Sequence, residues 1–95
     1  MAAYIVFIRE KTLDADETAA YWAAIKLTLV GQPIRVLAAY GAQEILEGPK
    51  TEGTVIAEFP SVEAARAWYD GAVYQQAAKH RRAGAVYTGV LVQGV

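Results

Sequence analysis

Apolar positions along the chain fall into short blocks separated by glycine, proline and charge. The first block, AYIVFIRE at 3–10, is β-branched or aromatic and too short for a typical helix, so it predicts a strand. Tyr4, Val6 and Ile8 alternate with Ala3, Ile5 and Phe7, which makes both faces apolar and implies cover on both sides. From about Asp14 to Val30 the period changes. Thr18, Trp22, Ile25 and Leu29 recur at helical spacing with Tyr21 flanking them. Asp14 suits the N-cap, Glu17 completes a box-like pattern, and Gly31 with Pro33 stops the helix. IRVLAAY at 34–40 predicts a second strand, which QEILEG at 43–48 extends if Gly41 permits a bend. GPKTEG at 48–53 reads as a loop and TVIAEF at 54–59 as a third strand. Ser61 caps a helical region that Gly71 divides into 61–70 and 72–82, and VYTGVLVQG at 86–94 is the last strand.

The order is strand, helix, strand, strand, helix, strand, the split βαβ arrangement called ferredoxin-like. The fold class is therefore α+β: one domain over residues 1–95, a four-stranded antiparallel sheet with helices on one face. The first and last strands are apolar on the other face as well. A second copy of the chain, packed sheet against sheet as a two-fold homodimer, is the economical cover and makes a dimeric α+β barrel.

Composition narrows the function classes. The 95 residues are 55% hydrophobic and 20% charged, which is globular and not disordered. A net charge of −1 lacks the basic face of an electrostatic nucleic-acid binder. No apolar run approaches the ~20 residues of a membrane span, and the N-terminus reads as a strand rather than a signal peptide. With no cysteine there is neither a disulfide framework nor thiol chemistry, and a reducing cytoplasm is the default location.

Three stretches carry a resemblance: LEG at 46–48, IAEFPSVEAARAWYDGAVYQ at 56–75, and the Arg81-containing helix end leading to VQG at 92–94. With AYIVFIRE they resemble the bacterial domain-of-unknown-function family 1330 over essentially the whole chain. The resemblance implies a dimeric α+β barrel and brings no established activity. The wider group includes cofactor-free monooxygenases, small isomerases and decarboxylases, haem-handling enzymes and proteins with no known chemistry. This chain departs from the family pattern twice. VGQPIRVL stands where a Gly-Gly-Arg turn is usual, which displaces Arg35, and Gly71 and Ala72 stand where Ser-Pro-Glu is usual.

Candidate chemistry concentrates in a few residues. Tyr74, Ala77, Ala78 and Arg81 share one helical stripe, so Arg81 points inward, while Gln75, Lys79 and Arg82 face water and His80 lies at the margin. An inward guanidinium requires an acid, a carbonyl cluster or an anionic ligand. Its structural alternative is a buried stem with a paired or snorkelling head. Glu58 falls on the strand face away from the helices, inside the dimer barrel. There it is either a base with a raised pKa, or it pairs with Arg35 or another basic group or hydrogen-bonds across the dimer. His80 is the general base available at neutral pH, and a lone histidine suggests no metal site. Tyr21, Trp22 and Tyr40 suit an apolar cleft between helix and sheet, or a core. Trp68 and Tyr69, about 100° apart on their helix, read as packing residues. No phosphate loop, nucleophile elbow or dinucleotide fingerprint occurs, and Ser61 reads as a cap.

Two function classes follow. One is a small protein that binds an organic acid or aromatic ligand without catalysis or cofactor, with Tyr21, Trp22, Tyr40 and Arg81 as the binding residues. The alternative is a cofactor-free isomerase, lyase or monooxygenase, with Glu58 or His80 taking a proton and Arg81 holding the negative charge. They differ in whether a base converges with Arg81 on one point.

Overall fold

The computed structural model describes residues 1–95. Strand β1 spans Ala3–Thr12, helix α1 Ala15–Leu29, β2 Arg35–Ala39, β3 Gly53–Phe59, α2 Val62–Asp70, α3 Ala72–Gly84 and β4 Ala85–Gln93. The sheet order is β2-β3-β1-β4 and every neighbouring pair is antiparallel. This is the ferredoxin-like α+β arrangement that the element order predicts. No helix is long and apolar enough to cross a membrane.

The faces divide as the alternation in β1 requires. Ala3, Ile5 and Phe7 are buried with Tyr21, Phe59, Ala65, Tyr74, Ala77 and Ala78 in one core between sheet and helices. On the other face Tyr4 pairs with Glu58 and Val92, and Val6 pairs with Ile56 and Val90. Within one chain that face is uncovered, and Val90 and Val92 are 52% and 47% exposed.

Local signals account for the helix boundaries. Asp14 Oδ1 accepts from the backbone N–H groups of Asp16 and Glu17, at 3.0 and 3.3 Å. The reciprocal half of a capping box does not form, because the Asp14 N–H donates to Gly84 O and the Glu17 carboxylate turns to His80. Ser61 Oγ accepts from Ala64 N at 3.0 Å, the capping role read from its position. Gly31 stops α1 at φ 71°, a conformation that suits glycine. Gly71 breaks the second helical region with ψ at 148°.

Two expectations are corrected. Residues 43–48 do not extend β2; they belong to the loop between β2 and β3. The chain leaves the sheet at Tyr40, which takes φ 56°, so the sharp turn lies one residue before the glycine expected to permit it. Gln43 then anchors the loop: its side-chain amide donates to Thr51 O at 3.1 Å and accepts from Thr54 Oγ1 at 2.9 Å. In α1 the centre of the inward stripe is Tyr21, 3% exposed, while Trp22 is its flank and only partly buried. The stripe rotates because Tyr21 reaches Tyr74 on α3, their hydroxyls 3.2 Å apart.

Helices α1 and α3 meet at Gly84. Its carbonyl accepts from the N–H groups of Leu13 and Asp14 at 2.8 and 3.0 Å. A Cβ there would stand 2.8 Å from Thr18 N and 3.1 Å from Glu17 C, which are backbone atoms that cannot step aside. Gly84→Ala is expected to destabilise the fold by about 1–3 kcal/mol despite its better helix propensity, seen as a lower urea midpoint at unchanged slope. At the far end of β1, Glu52 accepts from Thr12 Oγ1 at 2.5 Å and lies 3.0 Å from Arg9 Nε. The Thr12 hydrogen bond first, and Arg9 after it, hold this exposed carboxyl below its usual range. Its contribution to stability is therefore complete above the ordinary carboxylate pKa and is lost as pH falls through the lowered value. A carbon-detected NMR titration should show that low midpoint, and Thr12→Val should bring it back up.

Candidate functional site

The helix-facing side of the sheet is organised around the Phe7 ring at the centre of β1. Tyr74 stacks on it at 6.4 Å, and Tyr87 meets it edge-on at 6.3 Å. Tyr74 is 1% exposed and also packs against Tyr21, Trp68 and Tyr69. The adjacent pair in the sequence, Trp68 and Tyr69, therefore does pack, with Trp68 Nε1 donating to Thr28 O at 3.2 Å.

Arg81 arrives from α3 on the same stripe as Tyr74, Ala77 and Ala78, and all four are buried. Its guanidinium carbon lies 4.8 Å from the Phe7 ring centre and 5.3 Å from that of Tyr87. Cation–π attraction of this kind offsets part of the cost of burying a charge. It does not satisfy donors: Nε is buried without a hydrogen-bond partner, and Arg81 joins none of the chain's salt bridges. Beside it opens a cavity of about 380 Å³ whose walls include Arg66, Tyr69, Arg81, Arg82, Tyr87 and Gly89. Three arginines and no carboxylate line it. Arg66 is paired with Asp70 at 2.9 Å, and Arg82 donates to Gln75 Oε1 at 2.9 Å. Gly89 faces Phe7 across the β1–β4 ladder, and a Cβ at that position would stand 2.9 Å from the ring.

On the other side of Phe7 and Tyr87, between α1 and the sheet, is a second cavity of about 240 Å³. Tyr21, Trp22 and Tyr40 line it, and every wall side chain except Lys26 is apolar or aromatic. Ile5, Phe7 and Tyr87 are common to both cavities. Tyr40 is held from several directions. Its hydroxyl bonds that of Tyr87 at 2.5 Å, its ring meets Trp22 edge-on at 4.8 Å, Arg9 lies 4.6 Å over it, and Gly53 leaves room beneath. A bulky residue at positive φ costs on the order of 1–2 kcal/mol, which these contacts sustain. Burial first, and the hydrogen bond with Tyr87 second, push the Tyr40 phenol well above its ordinary range. Burial does the same for Tyr21, and for Tyr74 against the opposing charge of Arg81. All three stay protonated at neutral pH.

The residues singled out from sequence do not converge. Glu58 lies on the open face of the sheet, where Tyr4 donates to it at 3.3 Å and Arg35 stands 4.0 Å away. The sheet separates it from Arg81. His80 Nδ1 is 2.7 Å from Glu17 Oε2, a hydrogen-bond contact between α3 and α1. Neither lines the Arg81 cavity. Tyr21, Trp22 and Tyr40 come together as expected, but in the neighbouring cavity. Sequence reasoning missed Arg9, Arg66, Tyr87 and Gly89. A glycine inside a strand pattern was the signal for Gly89; the others carried none. No group of three or more His, Asp or Glu is placed to hold a metal ion.

Solved structures similar to this one share the fold at low identity. A protein of unknown function from Rhodopseudomonas palustris aligns with a TM-score of 0.75 at 21% identity, covering 99% of this chain and 82% of its own. A dimeric ferredoxin-like protein of unknown function from Thermobifida fusca gives 0.69 at 15%, covering 99% and 92%. SnoaB, a cofactor-independent oxygenase from Streptomyces nogalater, gives 0.63 at 14%, covering 99% and 93%. Among curated proteins none matches the sequence significantly. Residues 2–95 match the family described as a domain of unknown function, DUF1330, and the chain belongs to that family.

Proposed function

We propose that this protein binds a small organic acid, with Arg81 holding the carboxylate in the cavity beside β4. One observation carries the reading: a buried guanidinium, without a salt-bridge partner, forms the wall of a cavity lined by arginines and no acid. A planar fork of donors matches a carboxylate, and the Phe7, Tyr69 and Tyr87 rings suit an apolar or aromatic body. The enzymatic version keeps Arg81 in the same role and adds a base. Glu58 and His80 stand away from this cavity, so binding without catalysis is the reading argued. Benzoate, titrated by calorimetry and NMR, is expected to bind and to shift the Arg81 Nε signal. Arg81→Gln should weaken it about 10- to 100-fold, as loss of a charged hydrogen-bond pair does. Gly89→Val, which fills the cavity and leaves the charge, should weaken it as well. Unchanged affinity in either folded variant sinks the proposal.

The same reading takes the working unit as a homodimer in the cytoplasm, joined through the open face of the sheet. Tyr4, Val6, Ile8, Ile56, Val90 and Val92 make that face apolar, and the T. fusca relative is described as dimeric. Light scattering at micromolar concentration is expected to give the mass of two chains, and Val90→Arg, which sets a charge on that face, the mass of one. A wild-type mass of one chain removes the dimer.

A further inference from the structure

The cavity beneath α1 differs in chemistry from the one beside Arg81. Its walls are aromatic and aliphatic side chains apart from Lys26, and in them the hydroxyls of Tyr40 and Tyr87 meet at 2.5 Å. A pair of hydroxyls bonded to each other uses one proton and leaves the other O–H without an acceptor. No other protein group accepts from either of them. Burial and the mutual hydrogen bond keep the Tyr40 phenol protonated, so the pair remains a donor across the physiological range. Protein interiors hold few spaces larger than a water molecule. About 240 Å³ exceeds the roughly 150 Å³ of apolar cavity that accommodates a benzene ring. The walls are flat rings: Trp22 and Tyr40 meet edge-on at 4.8 Å, and Tyr21 and Trp22 at 5.6 Å. The one cationic side chain on the wall, Lys26, is exposed on α1 and reaches water. The backbone at Tyr40, at φ 56°, holds the phenol in this wall against its local preference.

We infer that this cavity is a second site, for a neutral monocyclic aromatic bearing one hydrogen-bond acceptor such as a carbonyl, with the Tyr40–Tyr87 pair donating to it. It is distinct from the anion site: Arg81 does not line it, although Ile5, Phe7 and Tyr87 are walls of both. Its chemistry disfavours carboxylates, which would be desolvated among the rings while Lys26 stays at the water-facing edge.

Acetophenone and toluene, matched in ring and different in the acceptor, are the probes. In the wild-type protein acetophenone is expected to shift the amide and indole signals of Tyr40, Trp22 and Tyr87, and to bind about 3- to 10-fold more tightly than toluene. The double variant Tyr40→Phe/Tyr87→Phe should erase that preference while toluene still binds. Ala57→Leu, which extends a side chain into the cavity from β3, should abolish both. A saturating excess of benzoate should leave the binding of both probes in place, so failure here and failure of the anion site are distinguishable. Equal affinity for the two probes in the wild type overturns the inference, even where the double variant does not fold. So do shifts that persist in folded Ala57→Leu, or that benzoate displaces.

Discussion

The guanidinium of Arg81 stands against the rings of Phe7 and Tyr87, and burying a charge there constrains its neighbours. A fully buried cation without a carboxylate is costly. The fold meets part of that cost with ring faces, and a cavity adjoins the guanidinium. Gly89 allows this by omitting a side chain opposite Phe7. Tyr87 allows it by anchoring its hydroxyl on Tyr40, which fixes the ring plane that Arg81 faces. The charge, the glycine and the two tyrosines therefore act as one arrangement, though they come from three parts of the chain.

The two faces of the sheet solve different problems. On the helix side, aromatic rings leave two spaces of unlike chemistry that share the Phe7 and Tyr87 wall. On the open side, short aliphatic chains present a surface with few polar groups, interrupted by Glu58 and Arg35 near the β2 edge. Glu58 is thus explained by its own face. Tyr4 donates to it and Arg35 stands near, so its position on a strand that otherwise reads apolar does not require a catalytic role.

Much of the architecture was legible because it depends on local period and on punctuation. The alternation in β1 assigned its two faces correctly, and the Tyr74–Ala77–Ala78–Arg81 stripe placed Arg81 inside. Ser61 and Gly71 marked helix boundaries by their own chemistry. What was not legible depends on partners distant in sequence. His80 looked like a base until α1 supplied Glu17 beside it, and nothing near position 80 announces that contact. Tyr40 was readable as an aromatic wall but not as a residue of positive φ, because the adjacent Gly41 is the position a local rule would choose. The centre of the α1 stripe was misplaced by one residue for a similar reason. Periodicity finds a face, but the Tyr21–Tyr74 contact decides which residue lies at its middle. The cavities themselves were invisible, since a cavity is defined by what its walls leave out.

The central position of β1 bears on how the molecule comes together. This strand precedes the others along the chain, yet its ladder partners are β3 and β4, with Ala3 opposite both Phe59 and Gln93. The β1–β3 ladder closes a loop that runs from Arg9 to Gly53, and the β1–β4 ladder one from Thr12 to Ala85, so the sheet's middle gains its pairing only at the cost of long loop closures. Until then β1 carries an apolar row on each face and an unpaired edge on each side. Local contacts in α1 and in the α2–α3 segment can form early, but the pairing that defines the fold is long-range, as in other mixed α/β domains, whose rates lie between those of helical bundles and all-β folds. The same delay leaves a nascent AYIVFIRE segment exposed during synthesis, in the state in which it is most prone to pair with the wrong strand.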